Sequence, residues 1–100
     1  MTKTKTDLIP QKDIERIVGI MKAVAHPMRL QIVNILMKGE HSVGVLVNML
    51  GTKQSLTSQQ LTILKHARIV KPRRNGNVVF YSLENNGIKK IMATILKVIS

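Results

Sequence analysis

The chain has 100 residues, no cysteine, aromatics at only 2% and a formal net charge of +11 from sixteen Lys and Arg against five acids. That length sustains one domain with a core of moderate depth, and the missing cysteines exclude disulfides and thiolate metal sites. No apolar run approaches the roughly 18 residues that span a bilayer, and the basic start MTKTKTDLIPQKD lacks the apolar segment of a signal peptide, so the expected location is the cytoplasm.

Residues 1–11 read as a flexible N-terminal arm and 12–100 as a single domain. From Lys12 to Ala25, Ile14, Ile17, Val18, Met21 and Val24 or Ala25 follow helical spacing. Pro27 restricts His26 and opens a second helix, Met28 to Met37, so rich in Leu, Ile and Val that it should be the central buried one, with Gly39 as its C-terminal cap. Ser42 caps a third helix, Val43 to Leu50, which Gly51 stops.

The fourth element is GTKQSLTSQQLTILKHA, residues 51 to 67. Leu61 and Leu64 anchor it from behind, while its start carries Thr52, Gln54, Ser55, Thr57, Ser58, Gln59, Gln60 and Thr62. Ser and Thr are indifferent helix formers, so folding alone does not ask for this cluster. Next come two β-prone runs around Asn75-Gly76, a hairpin signal, with Pro72 confining its strand to an edge. The terminal helix, Gly87 to Ile99, carries the apolar seam Ile88, Ile91, Met92, Ile95 and Ile99. The fold class is mainly α with a small β-hairpin: five helices plus a wing.

The charge and the fourth helix point the same way. Between His41 and Leu83 there is no acid, but Lys53, Lys65, Arg68, Lys71, Arg73 and Arg74 are present. A surface of one sign favours polyanions; the plain alternative is a solvated basic face. Two short helices joined at Gly51-Thr52-Lys53 form a helix-turn-helix, whose second helix enters the DNA major groove. Ser, Thr and Gln both donate and accept, as base-edge reading requires. The expected DNA-binding set is Lys53, Gln54, Ser55, Thr57, Ser58, Gln59, Thr62 and Lys65 on or beside this helix, with Arg73, Arg74 and Asn75 on the wing.

These blocks carry a resemblance. AHPMRLQIVNIL, QSLTSQQLTILKHARIV and RRNGNVVFYSL look like the ArsR/SmtB family of winged helix-turn-helix transcription repressors. The wording AHPMRL and IVN is nearest the PagR-like branch, which lacks metal-sensing sites. The pattern A-x-x-x-R-L is met by Ala25, Arg29 and Leu30, the Ser/Gln-rich helix by Gln54 to Leu61, and the R-x-G wing ending in tyrosine by Arg74, Gly76, Tyr81 and Leu83. The resemblance implies a dimeric repressor on a palindromic operator, with the first and last helices as dimer interface: Ile14, Ile17, Met21, Ile88, Ile91, Met92, Ile95 and Ile99. In metal-sensing relatives a cysteine pair stands where this chain has Ser42 and Gly44, and the last helix supplies Asp and His where this one has neither. The family's glycine after the recognition helix is Arg68 here, which suggests a differently shaped junction.

His26, His41 and His66 lack metal-ligand spacing. No metal and no cofactor are expected. There is no nucleophile–base pair, phosphate loop or acid dyad, so the chain is not read as an enzyme. The partners expected are double-stranded DNA and a second copy of the chain, with no membrane, acting at the bacterial nucleoid. Rival readings are a winged-helix protein-interaction module that docks an acidic partner, and an RNA-binding protein.

Overall fold

A computed structural model describes residues 8–99. The order is α1 (Gln11–Val24), α2 (Pro27–Leu36), β1 (His41–Ser42), α3 (Val43–Leu50), α4 (Gln54–His66), β2 (Val70–Asn75), β3 (Val78–Leu83) and α5 (Asn86–Ile99). Of the arm expected over residues 1–11, residues 1–7 lie outside the described residues, and Gln11 already begins α1.

Each helix start has a local cause. Pro27 occupies the first position of α2, and His26 Nδ1 accepts from the Met28 amide at 3.2 Å. Ser42 Oγ accepts from the Val45 amide at 3.2 Å to cap α3, and Asn85 Oδ1 accepts from the Ile88 amide at 3.1 Å to cap α5. Gly51 closes α3 in the left-handed conformation, φ +63, while the Thr52 amide donates to the Val47 carbonyl at 3.3 Å. Gly39 does not cap α2 directly: the helix yields at Leu36, and Gly39 turns the chain with φ +132 toward β1.

The strands form one antiparallel sheet in the order β1-β3-β2. Pro72 therefore lies on an edge strand, as its missing amide demands. Asn75 pairs with Val78, so the two loop residues are Gly76 and Asn77, one position beyond the expected Asn75-Gly76. Gly76 takes φ +64 and Asn77 no positive φ, the arrangement of a type II′ turn with glycine first. The short strand β1 had no counterpart in the sequence reading.

Ile32, Val33 and Leu36 of α2 meet Leu46 of α3, Leu61 and Leu64 of α4, Ile69, Val70, and Ile88 and Met92 of α5. Each large aliphatic side chain withdrawn from water contributes roughly 1.5–3 kcal/mol, and α2 supplies the centre. No helix of the described residues is long and apolar enough to cross a membrane.

Candidate nucleic-acid interface

The turn Gly51-Thr52-Lys53 sets α4 against α3. Leu61 and Leu64 are fully buried, which turns the opposite face of α4 outward. Gln54, Ser55, Gln59 and Thr62 are exposed there, and Ser58 is half-buried. Lys53 and Lys65 stand exposed at the two ends of the helix. The outward face thus carries neutral donors and acceptors flanked by cations, with no acid on the helix. Thr62 Oγ1 donates to the Ser58 carbonyl at 3.0 Å, leaving its lone pairs free to accept.

Thr57 is a correction. It was expected among the DNA contacts, but its side chain is fully buried and its hydroxyl has no hydrogen-bond partner. It faces the core with Leu61 and Leu64, three and four residues being the spacing of one helical face. Gln60 also turns inward, and here the polarity is used. Arg29 donates from Nη1 to Gln60 Oε1 at 2.8 Å and from Nε to the Ala23 carbonyl at 2.6 Å. One guanidinium on α2 therefore ties the end of α1 to the middle of α4. Arg16 adds a second tie, donating to the Ala67 carbonyl at the end of α4 at 2.7 Å.

Behind α4, Arg68 adopts φ +58, the left-handed conformation usually left to glycine. The Arg68 amide donates to the Lys65 carbonyl at 2.9 Å and the Ile69 amide to the Leu64 carbonyl at 3.0 Å. The junction keeps the glycine-type geometry at an energetic cost, and is not differently shaped as expected.

The two wing arginines go to opposite faces of the hairpin. The register pairs Arg74 with Val79 and Pro72 with Tyr81, and these four close a cleft of about 270 Å³ with Lys65 of α4. Arg74 thus lies on the α4 side of the hairpin. Arg73 pairs with Phe80 on the other face. Its Nε and Nη2 donate to the two Glu40 carboxylate oxygens at 2.9 and 2.7 Å, and its guanidinium lies 4.8 Å from the Phe80 ring centroid. The hydrogen-bonded guanidinium holds the Glu40 carboxyl below the usual carboxylate range. The ion pair is therefore intact at neutral pH and is lost only as pH falls through that lowered value. Arg73 was expected to meet DNA; in the chain without DNA its fork is taken by a bidentate carboxylate. Asn75 stands exposed at the tip of β2.

The apolar residues expected at a dimer interface divide in two. Ile14, Ile17 and Met21 on α1 and Ile91, Ile95 and Ile99 on α5 are exposed, joined by Val18, Leu96 and Val98, which were not in the expected set. Ile88 and Met92 are corrections: they are 6% and 2% exposed and belong to the protomer's own core. Leu96 and Met92 also line a groove of about 570 Å³ with Val24, Pro27 and Leu30, so α5 passes over the α1–α2 junction. No group of three or more His, Asp and Glu among the described residues is placed to hold a metal. His26 serves as a helix cap, and His41 Nδ1 lies 2.8 Å from the Gly39 carbonyl.

The model of the bacterial regulatory protein arsR family matches residues 26–71. The biofilm growth-associated repressor of Xylella fastidiosa is 39% identical over 80 residues, 80% of this chain and 68% of that protein. The transcriptional activator HlyU of Vibrio cholerae is 35% identical over 82 residues, 82% of this chain and 76% of that protein. The HlyU structure superposes with a TM-score of 0.83 at 33% identity, covering 88% of this chain and 96% of that one. A homodimeric winged helix-turn-helix DNA-binding domain of Mb0332 from Mycobacterium bovis also gives 0.83, at 26% identity and 91% and 86% coverage.

Proposed function

We propose, starting from the fact that this chain belongs to the ArsR family of bacterial regulatory proteins, that it is a homodimeric, sequence-specific DNA-binding transcriptional regulator and not an enzyme. The observation that carries this reading is the outward face of α4, which offers uncharged Gln54, Ser55, Ser58, Gln59 and Thr62 between Lys53 and Lys65. Those side chains are suited to base edges, and Lys65, Arg74 and Asn75 to the adjoining backbone. A second copy packs along the exposed apolar residues of α1 and α5, a surface too extensive for a lone protomer to leave wet. Two-fold symmetry then sets a palindromic operator with half-sites about one helical turn apart.

Repression by occlusion of a promoter is the mode we favour. The biofilm-associated relative is a repressor, while HlyU is named an activator, so the sign follows where the operator lies relative to the polymerase. The place of action is the bacterial nucleoid. Selection of duplexes from a random-sequence pool by the wild-type protein tests the reading. Enrichment of a palindrome, with two protomers bound per duplex, is the expected result. An acidic protein or a folded RNA bound more tightly than every duplex would overturn it.

A further inference from the structure

Glu40 is the single acid between Gly39 and Leu83, a segment with six Lys and Arg, and its carboxylate takes the Arg73 guanidinium through two hydrogen bonds. The placement of that pair is informative. Glu40 immediately precedes β1, whose Ser42 caps α3, the first helix of the DNA-binding pair. Arg73 lies on β2, and β3 runs between the two. Phe80 of β3 is register partner to both Ser42 and Arg73 and lies beneath the guanidinium. The pair therefore reaches over all three strands on the face away from α4, tying the far edge of the wing to the start of the helix-turn-helix.

We propose that Glu40 and Arg73 are a positioning pair that sets DNA specificity: the strap fixes the angle of the wing against α4, so that a duplex held by the wing is also in register for base reading, and it withholds Arg73 from phosphate. A loosened wing still meets phosphate through Arg74, but in poses where α4 is out of register. This rests on the DNA-binding reading above. β1 is only two residues long, so just two register pairs join the wing's β3 to the segment that starts the helix-turn-helix, and a bidentate pair across the sheet adds to that short connection. A freed Arg73 would add one cation per protomer to the attraction for any duplex. Phosphate contacts raise affinity without regard to sequence, so the strap raises discrimination at the expense of raw affinity.

The test measures affinity against salt for the wild type, Glu40→Gln, Arg73→Gln and the charge-swapped double variant Glu40→Arg with Arg73→Glu. The probes are the duplex enriched by the wild type and a random duplex. Charge alone makes Glu40→Gln stronger on both duplexes equally. The strap instead predicts that random-duplex affinity rises and the enriched-over-random ratio falls severalfold. The slope of log affinity against log salt should steepen by up to about 0.9 per arginine released. Arg73→Gln should lower the same ratio with the salt slope unchanged, and the charge swap should restore the ratio. A flattened slope in Arg73→Gln would place Arg73 on phosphate and overturn the proposal, as would a wild-type ratio in Glu40→Gln. A wild-type protein that enriches no duplex would instead overturn the DNA reading, and the strap's role with it.

Discussion

Arg29 on α2 donates from Nη1 to Oε1 of Gln60 at 2.8 Å, from the inner face of the recognition helix, while its Nε reaches the Ala23 carbonyl at 2.6 Å. Gln60 is 8% exposed, so its amide oxygen has little access to water as an alternative partner. The same guanidinium thus satisfies a buried acceptor and sets the rotation of α4 about its own axis. Rotation decides which residues of a reading helix face the groove.

Replacing Arg29 by Met should cost about 2–3 kcal/mol, because hydrogen bonds to charged groups are lost and a buried amide is left unmatched. Urea denaturation reads the loss. Arg29→Lys should recover only part of it, since an ammonium lacks the planar fork that spans both acceptors. A wild-type urea midpoint in Arg29→Met would mean that the clamp holds nothing.

Thr57→Val should stabilise the fold by about 1 kcal/mol. The two side chains have the same shape, and the valine removes a buried hydroxyl that has no partner. Affinity for the enriched duplex should not change. A loss of that affinity with stability intact would show the Thr57 hydroxyl reaching DNA after all.

The helices, their order and the wing were legible because their signals are local: Pro27, Ser42, Gly51 and the apolar spacing each act within a few residues. The inward turn of Thr57 was also legible, since it precedes Leu61 by four and Leu64 by seven residues, but its polar identity outweighed its position in the reading. Ile88 and Met92 could not be told from Ile91 and Ile95, because α5 is apolar on two faces and spacing does not say which meets its own core. Glu40 and Arg73 lie 33 residues apart, and their pairing depends on β1, a strand too short to show alternation.

Arg68→Gly should raise stability by about 1 kcal/mol, because glycine enters the left-handed conformation without the clash that a side chain suffers there. For a domain of this size that corresponds to a rise in Tm of about 4–8 °C. An unchanged or lower Tm would show that Arg68 makes compensating contacts at that position.

The two faces of α5 should fail differently. Met92→Ala opens a cavity in the protomer core and should cost about 2–5 kcal/mol. Ile95→Glu leaves the protomer core untouched but places an unpaired charge in the proposed seam between copies. Sedimentation should then show folded monomers with weakened binding to the enriched duplex, since one half-site supplies too few contacts. Dimers that survive Ile95→Glu at micromolar concentration would place the interface elsewhere.

Gln59 and Arg74 separate reading from holding. Gln59 is exposed on the second turn of α4, a turn that the proposed reading sets against the base edges, and Arg74 stands on the α4 face of the wing beside Lys65. Gln59→Ala should cost about 1–3 kcal/mol on the enriched duplex alone. Arg74→Ala should weaken both duplexes about equally and flatten the salt dependence by about 0.9 per contact, nearly doubled because a dimer presents each arginine twice. The two effects differ in kind: a base contact changes the ratio between duplexes and leaves the slope, whereas a phosphate contact changes the slope and leaves the ratio. If Gln59→Ala weakened both duplexes alike, α4 would not be the reader, and its outward cluster of neutral side chains would need another partner.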